Sequence, residues 1–270
     1  TSHGGGRPVS AVPPLIAIAV PLVAMLIIFP LSEAHRRLRT WVNLGAAGLK
    51  LAVVVGMLLA IADGARFEAT IAWLPGRDLV LRVDALALLF LSLSSLLWLF
   101  TTVYAVGYLE GSPRRSRFFG FFSLCVAATA GIATAGNLLT FFVFYELLSI
   151  ATYPLVIHRG TAESRRAGAA YLRYTLGGGA LLLVGLVWLE TLVGPVDFAA
   201  ASPGINQLTT VGAFGTFWLM IAGVGVKAAL VPLHGWLPRA MVAPAPVSAL
   251  LHAVAVVKAG AFGIVRLVHD

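Results

Sequence analysis

All three lysines of the chain, Lys50, Lys227 and Lys258, fall inside long apolar runs, whereas the fixed cations between those runs are arginines. Arginine keeps its proton wherever it is placed, but a lysine in a low-dielectric interior can release its proton near neutral pH. Lysine is therefore the cation able to pass a proton on. A charge at the centre of a membrane-spanning helix costs roughly 2.5–3.5 kcal/mol or more, so packing alone does not explain these positions. The simpler alternative is a lysine that ties neighbouring helices together, and it applies most to Lys50, which has no motif around it. Glu146, in FFVFYELLSIATYP, is the one acidic residue at mid-depth of an apolar run, and Ser149 and Tyr153 share its helical face at i+3 and i+7. Such a stripe must point to the protein interior or to water, because lipid would leave it unsatisfied. A carboxylate there would hold a nearby lysine protonated, and separating the two would release the proton. The pair reads either as a switch or as a static ion pair.

The segment GVGVKAALVPLHGWLP carries Lys227 five residues before Pro232. Proline cannot donate the amide hydrogen that the Ala228 carbonyl would accept, so the helix should break just beyond Lys227. Breaks at membrane depth occur where the freed backbone lines a cavity, an arrangement common in transporters, although a kink without transport is the plainer reading. Gly223 and Gly225 are expected to leave room around the lysine. The last apolar run presents Ser248, His252 and Lys258. His252 and Lys258 lie about 9 Å apart along a helix axis on faces roughly 120° apart, so water must bridge them if protons pass. His252 is either a relay or a satisfied core residue, and the same choice holds for His234 beside the break.

The elements that must position these groups are membrane helices. The chain is 11% charged and 59% hydrophobic, with 28 glycines, against about 25% charged in soluble domains. Spanning the hydrocarbon takes roughly 17–25 apolar residues, which must be helical because lipid satisfies no backbone group. Eight such runs are expected, near Pro13–Leu31, Trp41–Ile61, Val83–Tyr108, Phe118–Ala135, Asn137–Ile157, Ala170–Leu192, Val211–Val231 and Ala243–Val268. The fold class is an all-α polytopic membrane protein with the seventh helix broken near Pro232. Residues 1–12, glycine-rich and without an initiator methionine, read as a disordered, processed or appended tail, 13–110 as helices one to three and 118–268 as helices four to eight. Cys125 has no partner for a disulfide and reads as a small core residue.

Loop charges alternate. Arg36, Arg37 and Arg39 follow the first run, Arg114, Arg115 and Arg117 the third, Arg159, Arg165 and Arg166 the fifth, and Arg239 the seventh. The intervening loops either balance their charges or carry few. The positive-inside rule then predicts cytoplasmic arginine loops and an outward N-terminus. The net charge of +8 follows from this topology and implies no nucleic-acid partner. No nucleotide loop, metal-ligand cluster or nucleophile constellation is visible, so neither a cofactor nor covalent chemistry is expected.

VKAALVPLHGWLPRAMVAPAPVSALLHAVAVVKAGAFGIVR, together with FYELLSIATYPLV upstream, resembles the antiporter-like subunits shared by respiratory complex I, membrane-bound hydrogenases and Mrp cation/proton antiporters. The resemblance covers roughly Val83 to Val268, and VAPAPVSALLHAVAVVKAG looks closest to the D subunit of Mrp antiporters and its stand-alone relatives. It implies a proton path through Glu146, Lys227 and Lys258, with His252 at the position of a family histidine. It also implies a first half-channel over helices four to eight, of about fourteen helices in such proteins, whose second half repeats the first inverted. The chain is then a piece of a longer protein or one part of a split subunit. The implied function is proton translocation in a multisubunit antiporter or respiratory complex of a bacterial or archaeal cytoplasmic membrane. Its partners would be other membrane subunits, protons, possible sodium ions and the lipid bilayer. Two alternatives are an energy-coupling or scaffold subunit, such as the membrane partner in inorganic carbon uptake, and a small-solute transporter with a midplane pocket.

Overall fold

A computed structural model describes residues 9–198 and 208–269. Ten helices and three strands follow in the order β1 (Val9–Ser10), α1 (Val12–Ile28), α2 (Arg36–Ala62), β2 (Arg66–Leu74), β3 (Arg77–Val83), α3 (Ala85–Tyr108), α4 (Arg115–Ala133), α5 (Leu138–Val156), α6 (Ala162–Val193), α7 (Thr210–Lys227), α8 (Trp236–Ala240), α9 (Ala245–Ala249) and α10 (Val256–His269). A π turn over Leu250–Val254 joins α9 to α10. Among the described residues, seven helical stretches are long and apolar enough to cross a membrane, counting Ala245–His269 as one, and α1 adds a shorter apolar helix of 17 residues. The protein is therefore a multi-pass, nearly all-helical membrane protein.

The helices begin where their sequence supplies a cap. The side chains of Asp84, Asn137, Thr161 and Thr209 accept from the backbone amides of Ala87, Thr140, Ser164 and Gly212, satisfying groups that the first turn cannot. Two helices start earlier than apolar length suggests, α2 at Arg36 and α6 at Ala162. Long arginine side chains at a helix end reach polar surroundings while their stems stay on apolar ground, so the helix runs on through its charged turn. α4, rich in Ala and Gly, is almost wholly buried, with α1, α3 and α5 packed around it.

One part of the chain departs from the all-helical expectation. The loop after α2 is a β-hairpin, with β2 and β3 antiparallel and Phe67 opposite Val83, and β1 adds a parallel strand beside Arg66 and Phe67. In RDLVLRV the residues Leu79, Leu81 and Val83 are buried and their neighbours are not, the period-two alternation of a half-buried strand. The tip is Pro75–Gly76, with Gly76 at φ +73°, a conformation glycine adopts without strain. The hairpin caps the α4–α5 corner through Gly136 N to Val80 O at 2.7 Å and Val80 N to Thr140 Oγ1 at 2.8 Å. Of the N-terminal tail, residues 1–8 lie outside the described residues.

Charged loops gather on two opposite faces. On one, Glu33 sits 3.5 Å from Arg39 and 3.3 Å from Arg115, Arg36 pairs with Glu110, and Arg114 donates to the His158 carbonyl at 3.2 Å. The other is the hairpin face, where Arg82 bridges Glu68 and Asp197 with bonds of 3.0 Å to each, Arg77 pairs with Glu190, and Arg266 meets Asp84 at 2.5 Å. Hydrogen bonding to Asp197 is the chief reason the Arg82 guanidinium holds its proton more firmly than usual, against the cost of partial burial.

Candidate functional site

The seventh helix ends at Lys227, as the missing Pro232 amide requires, and the chain then passes through irregular backbone with Ala229 at φ +55°. Lys227 is fully buried. Its ammonium donates to the backbone carbonyl of Tyr145 on α5 and lies 3.2 Å from the centre of the Tyr145 ring, so a carbonyl dipole and an aromatic face hold it together. The same carbonyl accepts from Ser149 Oγ at 3.4 Å, and Tyr145 Oη donates to the Gly223 carbonyl at 2.9 Å. Tyr145 thereby latches α5 to the last turns of α7.

Glu146, the next residue, is half-buried and leans on α6 at Gly179, where any Cβ would collide with its carboxylate. Its Oε1 is buried with no hydrogen-bond partner among the described residues. Glu146 and Lys227 act on each other's charge, but no ion pair within 4.0 Å joins them. The pair is therefore not a closed salt bridge: the ammonium rests on neutral dipoles beside an unpaired carboxylate. Tyr153 shares the α6-facing side of α5 and packs over Gly168, so Glu146, Ser149 and Tyr153 do form one inward stripe.

Glycines set the spacing differently from expectation. Gly223 does not open room for Lys227; a Cβ there would meet the Leu182 amide and the Gly178 carbonyl, so Gly223 and Gly178 let α6 and α7 approach at backbone distance. Gly225 faces Leu230 of the break. The backbone of the break itself is covered by Gly260 of α10, whose missing Cβ leaves space for Ala228.

The family NADH:quinone oxidoreductase/Mrp antiporter, TM, matches residues 135–270, just over half of the chain. The chain belongs to this family. A second match, to the NADH-Ubiquinone oxidoreductase (complex I) chain 5 N-terminus, covers residues 76–119, from the hairpin tip through α3 into α4. A Rhizobium meliloti protein, named as a probable K(+)/H(+) antiporter component of the A/B type, is 32% identical over 93% of this chain and 26% of its own length. A Staphylococcus aureus protein named "Putative antiporter subunit mnhA2" is 29% identical over 93% of this chain and 32% of its own. The Mrp complex from a Dietzia species contains a chain 26% identical, with a TM-score of 0.80 over 94% of this chain and 48% of that one. The membrane-bound sulfane sulfur reductase, an archaeal respiratory complex, shares the fold at 23% identity and a TM-score of 0.83, over 94% of this chain and 52% of that one. The chain thus spans about a third or less of the curated relatives and about half of the solved chains.

In this antiporter-like chain the other candidates drawn from the sequence do not join the central cluster. Lys258 is partly exposed and lines an outward apolar groove between α3 and α10 with Leu86, Phe90 and Val265. His252 is exposed within the π turn and His234 is exposed beside the break. The 9 Å and 120° expected between His252 and Lys258 hold only on one continuous α-helix; the π turn inserts an extra residue, and Ala255 at φ −136° ends it. Lys50 is buried away from this cluster, between α2 and α3, with its ammonium 5.6 Å from the Trp98 ring centre. Three residues that no sequence pattern singles out complete the cluster. These are Tyr145, Tyr171 and Trp236, the last donating to the Val226 carbonyl at 2.7 Å and meeting Tyr171 edge-on at 5.4 Å. An aromatic beside the carboxylate and a tryptophan just past a helix break are visible in the sequence, but their inward orientation is not.

Proposed function

We propose that this chain is a proton-conducting half of a multisubunit cation/proton antiporter, or of a related redox-driven proton pump, in the cytoplasmic membrane of a bacterium or archaeon. The arginine-rich loops then lie in the cytoplasm and the N-terminus outside. Protons from the cytoplasmic side reach the Glu146 and Lys227 site and leave through water toward Lys258. The observation that carries this reading is a buried Lys227 ammonium held at a helix break by the Tyr145 carbonyl and ring, next to a carboxylate that it does not touch. The lysine thereby has two resting places one residue apart. Against Tyr145 only neutral dipoles hold the charge, whereas a swing to Glu146 gives it a counter-ion, and its hold on the proton changes with the move. Lys258 stands at the outward groove, where another membrane subunit or a further part of the same protein would take the proton on. His252 and His234 are both exposed; His252 is a further relay on that route and His234 a secondary one.

Transport in everted vesicles carrying the complete complex tests the assignment. Lys227→Ala and Glu146→Gln should each lower proton-coupled cation flux by on the order of a hundredfold, the scale of a lost proton-transfer group. Undiminished flux in both variants overturns it.

A further inference from the structure

Lys50 has no part in the path proposed above and lies outside both family matches. It is fully buried near the middle of α2, about 16 Å of helix beyond Arg39. Its Nζ has no hydrogen-bond partner, and the same is true of Asn43 Oδ1 on α2, Ser95 Oγ, Trp98 Nε1 and Thr102 Oγ1 on α3, and Ser123 Oγ on α4. Helical spacing sets the atoms of each helix along one face, and the Arg39–Ser116 bond and the Lys50–Trp98 contact join these faces into a seam. Arg39, Asn43 and Lys50 succeed one another at intervals of about four and seven residues, Ser95, Trp98 and Thr102 at about three and four, and Ser116, Phe119 and Ser123 likewise. At one end of the seam α2 and α4 are tied by Arg39 Nη1 donating to Ser116 Oγ at 2.9 Å. Above that tie a cavity of about 300 Å³, lined by Arg36, Arg39, Thr40, Glu110, Arg115 and Phe119, opens on the arginine face.

A buried polar atom left unbonded destabilises the fold, and water serves such atoms where several lie within reach. Unbonded polar atoms of three helices, descending from an open cavity to a lysine, describe a water file. Past Lys50 the seam closes on buried apolar residues, Val54, Met57, Leu88 and Leu91. No carboxylate accompanies Lys50 at depth among the described residues: α1 and the body of α3 carry no acidic or basic side chain, α4 has only Arg115 and Arg117 at the mouth and Cys125 deeper, Glu33 and Glu110 are engaged by arginines at the mouth, and Asp84 pairs with Arg266 at the far end.

We propose that the seam between α2, α3 and α4 is a second water-filled path, open to the arginine face and closed at Lys50, through which Lys50 exchanges protons with that side of the membrane independently of the Glu146 and Lys227 site. The step moves one proton between the Lys50 amine and a neighbouring water, breaking one N–H bond and forming one O–H bond, with no change of oxidation state. A lysine serves here because an arginine would not give up the proton.

Substituted cysteines in the complete complex, in a Cys125→Ala background and sealed vesicles of known orientation, test the path without reading transport. Small membrane-impermeant methanethiosulfonates added from the arginine face should modify T102C and S95C at least about tenfold faster than V54C, which lies in the closed half. The pH–rate profile of S95C should show a step beyond the thiol's own ionisation, absent in Lys50→Met and replaced by a constant offset in Lys50→Arg. Labelling no faster than V54C, or labelling from the hairpin face alone, overturns the water path. Superimposable profiles with and without Lys50→Met overturn the proton exchange. Neither outcome bears on the Lys227 assignment, because no transport is measured.

Discussion

Lys227 and His158 show how burial acts at single residues. Lys227 is buried against a carbonyl and a ring. His158, on the arginine face, meets Phe118 edge-on at 5.2 Å. Burial, followed by the charges of Arg114 and Arg117, pushes its pKa down to about 4. In the unfolded chain a histidine protonates near 6.5, so between about 6.5 and 4 the unfolded state binds more protons and folding stability falls with falling pH. Glu33 adds to the acid loss at lower pH: burial works against its charge, but the Ser116 amide and Arg39 outweigh burial and hold its pKa below the usual value. Its stabilisation is present above the ordinary carboxylate range and disappears as pH drops through the folded value. His158→Gln is therefore expected to flatten the decline of the thermal midpoint between about pH 6.5 and 4 in detergent, leaving only the steeper loss below. An unchanged slope refutes the histidine's share.

At the scale of elements, the site depends on helices that touch at glycine. Lys227 reaches Tyr145 because α7 stops, and the stopped end is covered by α10 at Gly260. A methyl group there would strike the Ala228 backbone, which has no flexible end to yield. Gly260→Ala should cost roughly 1–3 kcal/mol, the usual penalty of overpacking, read as a lower unfolding midpoint. Gly177→Ala on α6, where nothing lies within 4 Å of the added carbon, is the control and should be neutral or mildly stabilising, since alanine favours helix. The hairpin acts at the same scale: it closes the α4–α5 corner by backbone bonds and carries Arg77 and Arg82 to their partners on the last turns of α6 and on the segment that follows it.

For the whole molecule the question is which face is which. The loops after α1, α3 and α5 converge through the ion pairs of Glu33, Arg36, Arg39 and Glu110 and the bond from Arg114 to His158, and the hairpin closes the other end. The proposed orientation, drawn from the arginine excess, puts the first face in the cytoplasm. S32C should then react with impermeant thiol reagents from the cytoplasmic side only and T70C from outside only, both positions being exposed; the reverse pattern inverts the proposed direction of proton uptake. The groove beside Lys258 and the broad apolar flank of α2, with Trp41, Leu49 and Leu59 exposed, are apolar surfaces left uncovered among the described residues.

Membrane class, helix count, alternation of loop charge and the break after Lys227 are all legible in the sequence. They depend on local quantities: the length of an apolar run, the missing amide of Pro232, the type of cation at each loop. The inward stripe of Glu146, Ser149 and Tyr153 is legible for the same reason, since one regular helix sets its phase. Which polar groups meet was left to the tertiary structure. Sequence spacing puts His252 and Lys258 on one helix in the interior, but a π turn between them changes the helical phase, and no residue-by-residue periodicity announces it. Lys50 reads from sequence as helix glue, whereas it lies among unbonded polar atoms from three helices. The gap between Glu146 and Lys227 is likewise beyond local patterning. It is set by how closely α6 and α7 approach at Gly178 and Gly223, and by the latch of Tyr145 on Gly223, distances that only packing among separate helices determines.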